Sequence, residues 1–146
     1  MPAQIVRTKL SARSGFVVDE PFTAAVSLAG KQYYFVMPGS VVNEVVLATG
    51  ASLGTPLGVA QNDPAAGGMV LVRTFGKTQA VASPGACNLN HGTFLTVGSH
   101  GAVLASVCGM AFGRWLSASV VSTTATATCT IFVNCTGFGT CVPATS

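Results

Sequence analysis

The segment from residue 117 to residue 134, SASVVSTTATATCTIFVN, constrains the fold more than any other part of the chain. From Ser122 onward, Ser or Thr occupies nearly every second position. Successive side chains of a β-strand point to opposite faces of a sheet, so a period of two places hydroxyl groups on one face. The segment therefore predicts strands over residues 117–124 and 127–134, and it does not predict a helix.

Two pairs of apolar runs earlier in the chain have the pattern of hairpins. Residues 57–61 and 69–75 flank a connection that begins with Asn-Asp-Pro and ends with Gly-Gly. Residues 22–28 and 32–37 are rich in aromatic and β-branched residues and flank the short turn 29–31. Each pair of strands with its turn predicts an antiparallel hairpin.

Further short runs of five to eight residues, at intervals of about ten and with seventeen glycines and seven prolines in the chain, complete an all-β pattern. The predicted fold is a small β-barrel or sandwich of short antiparallel strands. A length of 146 residues fits one domain, which we assign to residues 16–146. Residues 1–15 have no stable period and predict an extended N-terminal arm. The remaining strands are predicted over residues 41–47, 93–97, 102–107 and 110–115.

Charged side chains are scarce, at 8% of the residues against 49% that are hydrophobic. From residue 78 to residue 146 the only charged residue is Arg114. One interpretation is a compact β-core with a hydroxyl-rich exterior. The other is an obligate oligomer or a component of a larger shell, in which contacts replace water over much of the surface.

The basic residues are spread along the chain, and no dense Lys/Arg stripe is present. Nucleic-acid binding is therefore not expected, because phosphate neutralisation needs a concentrated basic face. Three of them, Arg7, Lys9 and Arg13, lie in the predicted arm and could hold it on an acidic protein surface. No apolar run is long enough for a membrane helix, and no secretory signal is visible, so synthesis in the cytoplasm is expected.

The sequence contains few residues suited to catalysis or to binding a metal or cofactor. We therefore expect no catalytic activity, no metal and no cofactor. The two histidines, His91 and His100, stand in Gly-containing turn contexts, and the four acidic residues are divided among three separate segments. The five cysteines do not have zinc-site spacing, and most are expected to be small buried hydrophobic residues. A disulfide among Cys129, Cys135 and Cys141 remains an alternative.

Four residues are candidates for an interface. Arg114 and Trp115 could form a stacked pair at a contact surface, or Trp115 could fill the core while Arg114 points outward. Tyr33 and Tyr34, with Trp115, are the candidate aromatic platform for a carbohydrate.

The first hairpin described above carries a resemblance to a known family. Residues 56–77, PLGVAQNDPAAGGMVLVRTFGK, resemble a stretch typical of small bacteriophage head decoration proteins, also called capsid cement proteins. Residues 90–98, NHGTFLTVG, then residues 101–104 and FGRW at residues 112–115, are similar to the strands that follow in that family. The resemblance covers roughly residues 45–134. Sparse acidic residues near the turn and the five cysteines depart from the family pattern.

The resemblance implies a homotrimer on the outer face of a phage capsid, where it clamps neighbouring major capsid subunits. The expected function is therefore structural: a decoration or cement protein of the virion, with the major capsid protein and its own copies as partners. The alternative is a carbohydrate- or receptor-binding β-domain of a tail or surface protein.

Overall fold

The computed structural model describes residues 16–49, 56–83, 87–105, 109–117, 120–122, 127–135 and 140–142. These residues form an all-β fold, as expected, with one short 3-10 turn at Ser99–Gly101. None of the helical structure in these ranges is long and apolar enough to cross a membrane. The strands are β1 (Val18–Ala24), β2 (Phe35–Pro38), β3 (Glu44–Leu47), β4 (Gly58–Ala60), β5 (Met69–Ala82), β6 (Cys87–Leu89), β7 (Phe94–Val97), β8 (Val103–Ala105), β9 (Gly109–Ala111), β10 (Gly113–Trp115), β11 (Val120–Ser122), β12 (Ala127–Asn134) and β13 (Thr140–Val142).

The first five strands close into a small barrel in the order β1-β3-β2-β4-β5, and β5 pairs with β1 to complete the ring. Apolar side chains on the inner face of each strand fill the barrel, because every second residue points inward. The pair β1–β3 is parallel and the other four pairs are antiparallel. The buried residues of this core are Ala24, Leu28, Val36, Val45, Ala60, Val70 and Val72.

A second ring of strand pairings uses the other half of β5, in the order β5-β12-β10-β7-β8. A single parallel residue pair, Ala82 with Val103, closes this ring. Its core contains Trp115, Ile131 and Leu95. Phe35 and Val59 also enter it from the outer faces of β2 and β4, so the barrel wall forms one side of the second core.

Strand β5 belongs to both rings, and its sequence accounts for this position. Its side chains alternate between buried and more exposed positions over almost all of its 14 residues. Val70 and Val72 point into the barrel, whereas Ala80 and Ala82 point into the second core. Between the two cores the inward positions are the small or polar residues Thr74, Gly76 and Thr78.

The two buried threonines of β5 have hydrogen-bond partners. The Thr78 hydroxyl donates to the Gln79 carbonyl and accepts from Gln61 Nε2, both at 2.9 Å. The Thr74 hydroxyl donates to the Val18 carbonyl at 3.4 Å. Across the described residues, no buried side-chain nitrogen or oxygen lacks a partner, so desolvation of these groups is compensated.

The predicted hairpin over residues 57–75 is confirmed. Strands β4 and β5 pair antiparallel, with Val59 opposite Arg73. In the connection, the Asn62 side chain donates to the Met69 carbonyl at 2.9 Å and accepts from the Leu71 amide at 2.8 Å. Gly67 has a φ of +81°, which a residue without Cβ adopts at little cost.

The predicted hairpin over residues 22–37 is wrong. β1 pairs with β3 and β5, and β2 pairs with β3 and β4, so the two strands are not neighbours. The intervening segment is held elsewhere: the Leu28 amide donates to the Pro64 carbonyl at 2.9 Å, and Leu28 is buried in the barrel. Tyr33, predicted in a strand, has a φ of +69°.

Other strand boundaries also differ from the predictions. The run 41–47 begins its strand only at Glu44, after a turn in which Asn43 has a φ of +65°. The run 110–115 forms two strands, β9 and β10, which pair with different partners on either side of Phe112. The strands are neither all short nor all antiparallel, since β5 has 14 residues and β1–β3 and β5–β8 are parallel. The predicted arm, residues 1–15, and parts of the predicted strands 102–107 and 117–124 lie outside the described residues.

Gly76, where β5 passes from one ring to the other, provides a test of this architecture. Its φ is +114°, and a Cβ there would lie 2.7 Å from the Phe16 carbonyl oxygen and 2.8 Å from Val17 Cγ1. We expect Gly76→Ala to lower the free energy of unfolding by about 2–4 kcal/mol, because strain and crowding act together. Urea unfolding followed by circular dichroism measures this change.

The matched control is Gly67→Ala, because Gly67 also has a positive φ but no atom lies within 4 Å of its Cβ position. That substitution should cost about 1 kcal/mol, from backbone strain alone. Equal losses in the two variants would contradict the close approach of Phe16 and Val17, just before β1, to Gly76.

Candidate functional site

Arg114 and Trp115 are neighbours on β10, and their side chains lie on opposite faces of the sheet. Trp115 is 1% exposed and packs in the second core, whereas Arg114 is exposed. The predicted stacking of Arg114 on Trp115 is therefore wrong. The alternative prediction, in which Trp115 fills the core and Arg114 points outward, is confirmed. The period of two along a strand gives the physical reason.

Arg114 instead lies over an aromatic ring on the neighbouring strand. Its guanidinium carbon is 4.3 Å from the centroid of the Phe94 ring, within the range of a cation–π interaction. The strand register places Arg114 directly opposite Phe94 on β7 and opposite Phe132 on β12. Phe132 is in turn opposite Lys77 on β5.

These four residues form a line of alternating aromatic and cationic side chains across four adjacent strands, which we call the cation–aromatic row: Phe94, Arg114, Phe132 and Lys77. Phe75 packs edge-on against Phe132, with ring centroids 5.1 Å apart. A surface cavity of about 180 Å³ is lined by Phe94, Arg114 and Phe132. The sequence pattern marks Arg114 as an isolated charge but does not reveal its partners, because strand register across β7, β10, β12 and β5 is set by contacts distant in sequence.

Tyr33 lies at a second cavity, of about 280 Å³, whose other lining residues are polar. They include Gln61, Gln79 and Lys77. Tyr34 is half-buried, and the Lys31 ammonium lies 4.8 Å from the centroid of its ring. Tyr34 lines neither this cavity nor the cavity beside Arg114.

One end of the barrel exposes several large apolar side chains. Thr23 marks this end, because it is opposite both Glu44 at the start of β3 and Met69 at the start of β5. Four apolar side chains that are each more than half exposed lie at or within three positions of Thr23, Glu44 or Met69 in the chain, and one of them, Val42, is 86% exposed. We call this set the apolar barrel end: Val26, Val41, Val42 and Met69.

The described residues contain one ion pair, between Asp19 on β1 and Arg73 on β5. Arg73 Nε and Nη2 donate to the two carboxylate oxygens at 2.7 and 2.9 Å, a bidentate geometry. Arg73 Nη1 also donates to the Lys77 carbonyl at 2.9 Å. Hydrogen bonding to Arg73 lowers the pKa of Asp19, and the same bonds raise the pKa of Arg73.

Two of the residues considered for catalysis or metal binding, the histidines, lie at the surface. His91 and His100 are exposed in turns, as their sequence context predicts. No group of three His, Cys, Asp or Glu residues in the described part of the chain could hold a metal ion. Cys129 is buried and Cys135 half-buried; both thiols are free, and burial raises the pKa of each to about 12. The disulfide alternative is therefore wrong for these two cysteines. The side chain of Cys141 lies outside the described residues. The three basic residues of the predicted arm, Arg7, Lys9 and Arg13, also lie outside them.

Comparison with solved structures shows a similarity of fold to a phage protein. No family model matches the sequence, and no curated protein matches it. The fold is similar to the crystal structure of the N base of head fiber gp8.5 in bacteriophage phi29, with a TM-score of 0.58 and 18% sequence identity. The match covers 82% of this chain and 95% of that chain. At this identity the likeness concerns the fold.

The Asp19–Arg73 pair predicts a pH-dependent contribution to stability. Because the folded state lowers the pKa of Asp19, the contribution is present above the pKa of the unfolded state and is lost as pH falls through the folded pKa. At pH 7, Asp19→Asn should lower the free energy of unfolding by about 1 kcal/mol, since the pair is partly exposed. At a pH below both pKa values, the wild type and the variant should differ little.

Chemical unfolding at a series of pH values measures this difference. The control is Glu20→Gln, which removes the adjacent exposed carboxylate, a group without an ion pair in the described structure. A constant difference between wild type and Asp19→Asn from pH 7 down to acid would contradict the role of the carboxylate charge.

Proposed function

We propose that this protein is a structural component of a bacteriophage virion, attached to the outside of the head. The observation that carries the proposal is the fold likeness to the base of a phage head fiber, which extends over 82% of this chain. The sequence resemblance to head decoration proteins, which rests on different evidence, supports the same class of protein.

The finer form of the proposal is a decoration or cement protein that binds the outer capsid face as a homotrimer and stabilises contacts between major capsid subunits. Two features of the chain support it. Charged residues are few, so most of the surface lacks the ionic side chains that favour contact with water over contact with another protein. The apolar barrel end exposes side chains that a protein contact would remove from water, with a gain of about 25 cal/mol for each Å² of apolar surface buried.

Val42 is the most direct probe of the apolar barrel end, because it is 86% exposed and its replacement disturbs no core. We expect Val42→Asp to weaken attachment to heads at least about tenfold, since a buried carboxylate without a partner is costly. The assay is co-sedimentation with expanded heads of the phage that encodes the protein, assembled without it.

The control variant is Thr128→Asp, which introduces the same charge at an exposed position on β12, away from the barrel end. It should attach as the wild type does. No stoichiometric attachment of the wild-type protein would contradict the proposed function. Normal attachment of Val42→Asp would exclude the barrel end as the contact surface and leave the proposed function in place.

A second candidate function is carbohydrate binding, and the cavity at Tyr33 favours it. An aromatic ring beside amide, hydroxyl and ammonium groups is a common arrangement for binding sugar rings. Tyr33 also has a φ of +69°, an uncommon conformation for a bulky side chain and one that is found more often at functional sites.

This second candidate predicts selective retention on a glycan array that is lost in Tyr33→Ala and weakened in Tyr33→Phe, which keeps the ring and its packing. Tyr34→Ala is the matched control, because Tyr34 carries a stacked lysine and lines no described cavity. Absence of any retained glycan, or equal loss in the Tyr33 and Tyr34 variants, would exclude this function.

A further inference from the structure

We propose that the cation–aromatic row binds a protein segment that presents a carboxylate between apolar side chains. The carboxylate would be held by the guanidinium of Arg114, and the flanking apolar groups would lie against Phe94 and Phe132. The biological role of this site rests on the proposed attachment to a protein shell. The inference adds the chemistry of the partner that the site would bind. Nothing in the comparisons assigns a role to this surface.

The first support is the way the strands hold Arg114. The guanidinium lies over the Phe94 ring at 4.3 Å, so one of its flat faces is occupied. The N–H groups of a guanidinium lie in its plane, and a ring on its face leaves these donors available for an acceptor. Phe132 stands directly opposite Arg114 on the other side and forms a second apolar wall of the same cavity.

The second support is the missing countercharge. Arg114 forms no ion pair with a described residue, and residues 78–146 contain no Asp or Glu. Of the four acidic residues in the chain, Asp19 is paired with Arg73, and Asp63 accepts a hydrogen bond from the Gly30 amide at 3.0 Å. Charge complementarity at the row therefore favours a partner that brings its own anion.

The third support is the size and composition of the cavity. Its volume of about 180 Å³ is below the roughly 300–1,000 Å³ of typical small-molecule sites. A space of this size between two phenylalanines suits one or two side chains of a partner protein. Buried aromatic and arginine side chains are also the residues that contribute most to the affinity of protein interfaces.

Nucleic acid is the less favoured occupant, although bases can stack on phenylalanine. The row contains two cations, Arg114 and Lys77, which lie two strands apart, or roughly 10 Å. A polynucleotide groove needs a continuous series of cations that follows the phosphates. The row instead has isolated cations between apolar rings. This arrangement is more complementary to single carboxylates among apolar side chains than to a polynucleotide.

The direct experiment is an NMR titration of the full chain with the peptide Ac-Leu-Asp-Leu-NH2. We expect shifts of the Arg114 Nε–H signal and of the Phe94 and Phe132 ring protons. The uncharged peptide Ac-Leu-Asn-Leu-NH2 should bind about tenfold more weakly, because it cannot form a charge-assisted hydrogen bond. Arg114→Gln should abolish the preference for the Asp peptide.

Lys31→Gln is the matched control, because Lys31 is also a cation over an aromatic ring, that of Tyr34, but lines neither described cavity. It should bind both peptides as the wild type does. Equal affinity for the two peptides, no binding at millimolar peptide, or an unchanged preference in Arg114→Gln would overturn the inference. A short oligothymidylate that bound the row more tightly than the Asp peptide would also overturn it, in favour of nucleic acid.

Co-sedimentation with heads separates this inference from the proposed function. If the wild type attaches to heads and Arg114→Gln attaches equally well, the row is not the contact and the inference fails, while the proposed function stands. If the wild type does not attach but discriminates between the peptides through Arg114, the proposed function fails and the carboxylate site stands. We expect attachment of the wild type and a loss of about tenfold in Arg114→Gln.

Discussion

The structure depends on the hydrogen bonding of one long strand, β5, to partners in two rings. Its first half pairs with β1 and β4 and closes the barrel, and its second half pairs with β12 and β8 in the second ring. All residues of the strand except Thr74 therefore pair with at least one neighbouring strand, and Val72, Arg73, Phe75 and Ala82 pair with two. Phe35 and Val59 join the rings further, because they leave the barrel wall and enter the second core.

The candidate contact surfaces follow from this arrangement. Because β12 is in register with β5, and β10 and β7 continue the same sheet, Lys77, Phe132, Arg114 and Phe94 fall on one line across its outer face. The apolar barrel end arises separately, where β1, β3 and β5 meet at Thr23. The sheet thus presents a charged aromatic surface, and the barrel end presents an apolar surface. Both are candidates for contact with a protein partner.

Patterns of short range in the sequence predicted the all-β class, the β4–β5 hairpin and the bounds of β12. Each of these depends on alternation or turn residues within about 20 positions of the chain. The 22–37 hairpin was wrong because β1 gains two partners, β3 and β5, that no local pattern reveals. The opposite orientations of Arg114 and Trp115 follow from strand alternation, but the contact of Arg114 with Phe94 depends on register between distant strands. Long-range pairing, and not propensity, decides these features.

Native-state hydrogen exchange of the amides of β5 tests the central claim, that one strand unites the two rings into a single cooperative body. If the claim holds, the hydrogen-bonded amides on both sides of Gly76 exchange only through global unfolding, with the same free energy and the same dependence on denaturant. Two distinct opening free energies, one for residues 70–74 and another for residues 78–82, would contradict it, because the two rings would then open independently.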